Sequence, residues 1–489
     1  MESPAAKTLQ KKLSPFNVWA VAFGCIIGWG SFINPGKKFL PTSGVAGTAI
    51  AMVLGALIMA VIAFCYAYMV PRYPRAGGEF HFTRSCFGSH CGFLCGWFLI
   101  AAYLTNVPMN STAIGLIVDG LFGPVLKFGF HYSIAGFDVY LGEILLAAAV
   151  LILFGLMNIR GVKVAGFVQT LLAAGLVISV LTLTIAALCS PHATLDNLAP
   201  LWGFDKAAAT ADFHQGVYAS AAPYAHEGGN AILVSVLSTL AIAPWAFVGF
   251  DTIPQVAEEF RFSYRKVSGI MLLAILFGCF VYITNNTITA AALSAWPDLI
   301  VNSEGTPWLL LTAAELLLGP GGKVLVGVAV SCAVLSGIMG FYMAASRLMY
   351  SMAQEGFLPA VFSDVDARSG TPKKAILFCM LLSLAGPVLG REALGWFLDM
   401  SSLGASIGFG FTCLATLKTM QRSGDRSPFL RVAGVAGTIF SALFITLQLL
   451  PIPGLEGVHI GRESYLLLAA WILLGAAFYF ARLRSIRAK

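Results

Sequence analysis

Two stretches decide the fold of this 489-residue chain. The first is Phe23-Gly24-Cys25-Ile26-Ile27-Gly28-Trp29-Gly30-Ser31-Phe32, followed by Pro35. The second is Ala243-Pro244-Trp245-Ala246-Phe247-Val248-Gly249-Phe250-Asp251-Thr252-Ile253-Pro254. Each lies in an apolar run of about 20 residues, the length a helix needs to cross a hydrocarbon layer of about 30 Å. Each is also weakened where it should be continuous. Gly28 and Gly30 flank Trp29 near the middle of the first run, and a glycine costs a helix interior about 1 kcal/mol relative to alanine. Pro244, Gly249 and Pro254 interrupt the second, with the carboxylate of Asp251 among them. Broken backbone in lipid has no water to satisfy its N–H and C=O groups, so it survives only where it is buried in protein or lines a cavity. The paired breaks therefore mark a site. Isolated glycines such as Gly55 and Gly327 read as helix-packing notches.

Composition sets the surroundings of these breaks. The chain is 58% hydrophobic and 11% charged, with a mean hydropathy of +0.82. A soluble domain is about 25% charged, so most of this molecule's outside must meet lipid. Apolar runs fall near 16–36, 44–70, 91–118, 141–158, 164–188, 232–257, 268–293, 324–346, 375–390, 394–417, 432–451 and 463–481, about twelve spans. Continuous runs exclude a β-barrel, whose strands alternate, and the connections leave no room for a separate soluble domain. Of the 30 Lys and Arg residues, 23 fall on the side that holds both termini, which the positive-inside rule assigns to the cytoplasm. The formal charge of +7 is thereby explained without a nucleic-acid partner. Met1–Ser14 reads as a cytoplasmic tail rather than a leader.

The breaks fall in spans one and six, as a repeat of five helices would place them. Interrupted helices in corresponding positions of two repeats are how secondary transporters build a mid-membrane site.

Several further elements, in order along the chain, resemble those of the amino acid–polyamine–organocation (APC) superfamily, over residues 15 to about 420. Ile27-Gly28-Trp29-Gly30-Ser31-Phe32 resembles its Ile-Gly-x-Gly-x-Phe element. Tyr73-Pro74-Arg75-Ala76-Gly77-Gly78-Glu79-Phe80 resembles its Pro-x-Ala-Gly-Gly-x-aromatic element, and Gly96-Trp97 also fits. Phe247-Val248-Gly249-Phe250-Asp251 with Ala257-Glu258-Glu259, and Ser346-Arg347-Leu348-Met349-Tyr350-Ser351-Met352-Ala353 with Glu355-Gly356-Phe357-Leu358-Pro359, complete the set.

The resemblance implies an all-α polytopic membrane protein with a leucine-transporter-like five-plus-five inverted repeat, two added C-terminal helices and alternating access. Residues 1–14 would be a tail, 15–190 the first repeat, 191–230 an extracellular loop, 231–420 the second repeat, and 421–489 the last helices and tail. It further implies that backbone around Ile27, Gly28, Trp29 and Gly30 holds a substrate carboxylate, as a helix N-terminus favours anions. Carbonyls near Trp245, Phe247, Val248 and Gly249 would take the amino group, with Trp245 as an aromatic gate. Two departures stand out. Trp29 is bulky where the family has a small residue, and the fifth span carries no deep lysine, since Lys163 sits at its end as an interface anchor.

Asp251, the ionisable group beside the second break, is a candidate for proton coupling or for holding the unwound segment. Tyr103, Asn106, Asn110 and Ser111 share one helix face and either line the solute path or bond neighbouring helices. No charged cluster stands at the breaks, which favours a neutral solute.

Cys86, His90, Cys91 and Cys95 fit no zinc spacing. The loop Ser190–Asn230, with His192, His214, His226, Asp212 and Glu227, reads as a solvent-facing cover. Gly319-Pro320-Gly321-Gly322-Lys323 lacks the phosphate-loop spacing. No metal or cofactor is expected, and no ATP motif, so a gradient or exchange supplies the energy.

The expectation is a permease of the inner or plasma membrane. It moves a neutral amino acid or related small amine, coupled to H+ or Na+ or working by exchange, with membrane lipid and a second copy in a homodimer as its other partners. The alternatives are a polyamine or cationic amino acid transporter, and a transport-like sensor. An enzyme is disfavoured because the seven histidines are scattered and mostly in loops.

Overall fold

The computed structural model describes residues 9–303, 308–452 and 458–487. Residues 1–8 of the N-terminal tail and the last two of the C-terminal tail lie outside the described residues. Helix α1 (Pro15–Ile26) opens on a capping box, with the Asn17 N–H donating to Ser14 Oγ at 3.2 Å and the Ser14 N–H to Asn17 Oδ1 at 3.1 Å. Ile27 is extended (φ −96°, ψ 102°) and ends it, so the first expected break is present. After it come α2 (Gly30–Asn34), a π-helical turn Pro35–Phe39, and α3 (Leu40–Met69). The second span thus follows the first without an open loop. The change of direction is taken up at Gly44 (φ 61°, ψ −156°), where a Cβ would lie 2.4 Å from the Leu201 carbonyl oxygen.

Next come α4 (Gly78–Phe87), lying between spans, and α5 (Ser89–Phe122). A short hairpin, β1 (His131–Ile134) with β2 (Phe137–Tyr140), interrupts the all-helical pattern. Its turn residues Ala135 and Gly136 both have positive φ, as a two-residue type I′ turn requires. Then α6 (Leu141–Ile159) and α7 (Val162–Cys189) complete the first five spans.

The long connection after α7 contains α8 (Lys206–His214), and Phe204 beside it packs on Trp296 at 5.9 Å. The sixth span is α9 (Gly229–Leu240), α10 (Ala243–Phe247) and 3-10 turns running to Glu259. Beyond it lie α11 (Val267–Ala292), α12 (Trp296–Val301), α13 (Leu309–Leu318) and α14 (Pro320–Gln354). The chain ends with α15 (Lys373–Ser383), α16 (Ala393–Ser423), α17 (Pro428–Leu449) and α18 (Arg462–Arg487).

Among the described residues nine helices are long and apolar enough to cross a membrane. The first half of span one and all of spans six and nine are made of shorter pieces. Span nine, expected to be continuous over 375–390, is a helix of 11 residues that gives way to a 3-10 turn at Pro387–Leu389. Gly386 and Pro387 account for this, because proline has no N–H to continue the ladder.

Helices α1, α5 and α14 form the buried centre, with α3 and α16 against them. Helices α7, α17 and α18 face outward, exposing Phe167, Leu171, Ile178, Leu188, Val432 and Leu473. A water-facing surface would not carry such residues, and a lipid-facing one requires them.

Candidate functional site

The two breaks meet at the centre of the bundle because glycines let them. Gly249 has φ 148°, and a Cβ there would lie 2.6 Å from both Ala22 O and Ile26 N, so the second break packs directly on the end of α1. A Cβ on Gly30 would fall 2.4 Å from the indole of Trp245, and one on Gly28 would fall 3.2 Å from Asn110 Oδ1. Backbone is therefore the only part of these residues that can face the site.

The breaks leave main-chain groups unused. Among the described residues none accepts a hydrogen bond from the N–H of Gly28 or Trp29, and none donates to the carbonyls of Phe247 or Val248. Trp29 and Trp245 lie beside these groups with ring centroids 6.3 Å apart and planes tilted by 55°. Both are buried, and Trp29 Nε1 has no partner among the described residues. The geometry sets Trp29 and Gly30 of the first break against Trp245, and Gly249 of the second break against the end of α1. Donors stand on one strand of broken backbone and acceptors on the other.

Asp251 is fully buried and holds the second break together. Its Oδ1 accepts the Gly249 N–H at 2.7 Å and its Oδ2 accepts the Tyr103 hydroxyl at 2.9 Å. The same hydroxyl lies 3.4 Å from Glu79 Oε1, which also accepts from Tyr66 at 2.9 Å, while Gln255 Nε2 donates to Glu79 Oε2 at 2.5 Å. Two carboxylates thus meet at Tyr103, and no lysine or arginine pairs with either among the described residues. Glu79 was not singled out by sequence because it lies in a polar connection, where a carboxylate is normally solvated.

Of the other residues on the Tyr103 face, Asn106 Nδ2 bonds Ser401 Oγ at 2.6 Å on α16, and Asn110 Nδ2 bonds the Asn106 carbonyl at 2.8 Å. Among the described residues Asn110 Oδ1 is left without a partner, beside Gly28. Ser111 bonds back to Pro108 O at 3.0 Å.

Toward the end of the bundle that holds the start of α1, Arg347 Nε pairs with Glu259 Oε1 at 2.8 Å, and neither side chain is more than 1% exposed. Glu259 also ties down the chain before α1, since its carbonyl accepts the N–H of Lys12 and of Leu13, each at 2.9 Å. On α4, His81 bonds Ser351 at 2.7 Å. Burial, aided by the cations of Arg75 and Arg84, pushes its pKa down to about 4, so it is neutral at physiological pH.

The fold defines a polytopic helical membrane protein in which two interrupted helices meet at mid-bundle. The chain belongs to the amino acid permease family, whose pattern matches residues 13–477, and with it to the APC superfamily. It is 27% identical over 380 residues, 77% of this chain, to the large neutral amino acids transporter small subunit 2 of Oryctolagus cuniculus. To cationic amino acid transporter 4, vacuolar, of Arabidopsis thaliana it is 25% identical over 430 residues, 85% of this chain. To the Asc-type amino acid transporter 1 of Mus musculus it is 26% identical over 373 residues, 76% of this chain. The match spans 64% of the length of each of the first two relatives and 63% of the third. These are transporters, not enzymes.

Proposed function

We propose that the protein carries a neutral amino acid, or a small related amine, across its membrane by alternating access. The supporting observation is the pairing of unused N–H groups at Gly28 and Trp29 with unused carbonyls at Phe247 and Val248. A free amino acid presents an anion and a cation a few bonds apart, and this backbone answers both. Residues 15–190 and 231–420 act as the two inverted repeats, and both termini face the cytoplasm. A cationic amino acid or polyamine is the second reading, supported by the Glu79–Asp251 pair. Against it, both Asp251 oxygens are already engaged by Gly249 and Tyr103. In proteoliposomes, labelled neutral amino acids are expected to be taken up and to compete with one another. Uptake of arginine, lysine or polyamines alone would favour the second reading.

Trp245 is the gate in this account, closing over the solute from the second break against Trp29. Trp245→Ala is expected to raise the KM for uptake by at least tenfold, because it removes the aromatic cover and opens a void of roughly 3 kcal/mol. Unchanged kinetics would remove the gate role.

Asp251 is the coupling group. Asp251→Asn removes the titratable charge and keeps an oxygen for the Gly249 N–H, while its NH2 would donate to the Tyr103 hydroxyl, which can turn its own hydrogen to Glu79, so the break should hold its shape. The expected result is uptake whose pH dependence is flattened. A pH profile identical to wild type would leave Asp251 a purely structural residue.

A further inference from the structure

The bundle carries a basic cavity that the solute pathway does not use. It has a volume of about 410 Å³ and is lined by Lys11, Lys12, Lys163 and Arg261, with Asn17, Phe167 and Thr170 completing the wall. No carboxylate lines it, and none of the four cations makes an ion pair with a described side chain. The cations come from three separate segments: the chain before α1, the start of α7, and the connection after span six. Four like charges around one concavity repel one another, and an anion seated among them would relieve that repulsion.

What lies next to the cavity identifies the anion. Phe167 is 68% exposed, and from it an apolar row descends one face of α7 through Leu171, Ile178 and Ile185, all at least 61% exposed. Their spacing of four and seven residues keeps them on a single stripe. A headgroup seated among the cations would have its acyl chain directed along this stripe, which a free phosphate could not use. Cations at the cytoplasmic membrane surface each attract anionic lipid by about 1 kcal/mol.

We propose that this cavity seats the phosphate headgroup of an anionic phospholipid of the cytoplasmic leaflet, with an acyl chain along the Phe167–Ile185 face of α7. The lipid would join segments that already meet at the inner closure, where Arg261 N–H donates to Leu13 O at 3.1 Å and Lys12 N–H to Glu259 O at 2.9 Å. It would thereby strengthen the contact between the N-terminal segment and the end of span six.

The test uses the full chain purified in neutral detergent, and its readout, the melting temperature, needs no transport activity. Phosphatidylglycerol is expected to raise the melting temperature, while phosphatidylcholine and inorganic phosphate do not. In Lys12→Gln/Lys163→Gln the lipid concentration for half the rise should increase on the order of 10-fold. The control Arg426→Gln/Arg431→Gln removes as much charge from exposed positions outside the cavity and should respond as wild type does. Should the pocket variant melt early without lipid, the single variants Lys11→Gln and Lys163→Gln carry the comparison. Equal responses of pocket and control variants would overturn the proposal, as would an equal effect of phosphatidylcholine. A rise with inorganic phosphate alone would make this a free-anion site and equally overturn it.

Discussion

Gly249→Ala is expected to abolish uptake and to lower the melting temperature sharply. The residue stands at φ 148°, and the added Cβ would lie 2.6 Å from Ala22 O and Ile26 N, both backbone atoms that cannot turn aside. The conformation alone costs an L-residue about 1–3 kcal/mol. Relieving the collision means pushing the second break away from α1, which separates the donors at Gly28 and Trp29 from the carbonyls at Phe247 and Val248. Gly269→Ala on α11 is the matched control, because a Cβ there meets nothing within 4 Å. The measurement is melting and uptake of both variants side by side. A Gly249→Ala protein that transports normally would mean that the breaks need not touch.

Arg347→Met carries the second large effect. Removing one partner of a buried ion pair leaves the other charged and unpaired, at a cost of about 3–5 kcal/mol. Here the stranded group would be Glu259, whose carbonyl also anchors Lys12 and Leu13. The loss should therefore fall on the inner closure, with early melting and greater accessibility of cysteines introduced near residue 12. Pairing it with Glu259→Met should recover a large part of the stability, because two apolar side chains leave no buried charge. A double variant no better than Arg347→Met would show that the pair contributes through something other than its charges.

The fold was legible because lipid imposes a coarse rule that composition obeys: a crossing segment must be apolar for its whole length. The breaks were legible for the converse reason, since Gly28, Gly30, Pro244 and Gly249 are poor choices for a helix that only had to span. What could not be read is whatever depends on distant segments meeting. Glu79 meets Tyr66, 13 residues away, and Gln255, 176 residues away, only after α3, α4 and span six pack, and its position in a polar connection gives no sign of that burial. The bulk of Trp29 was visible as a departure from the family pattern. Its placement against Trp245, however, depends on Gly30 leaving room for the second indole. The short ninth helix lay in plain view at Gly386-Pro387, within a run whose hydropathy suggested continuity.

If broken backbone recognises both charged ends of a free amino acid, analogues blocked at either end should bind poorly. Calorimetry or melting shifts should first find a neutral amino acid that binds, and then compare it with its carboxamide and its N-acetyl derivative. Each blocked form is expected to bind at least 100-fold more weakly, since each leaves buried main-chain groups without their partner. Equal binding of the free and blocked forms would contradict it and move recognition from the helix breaks to the side chains.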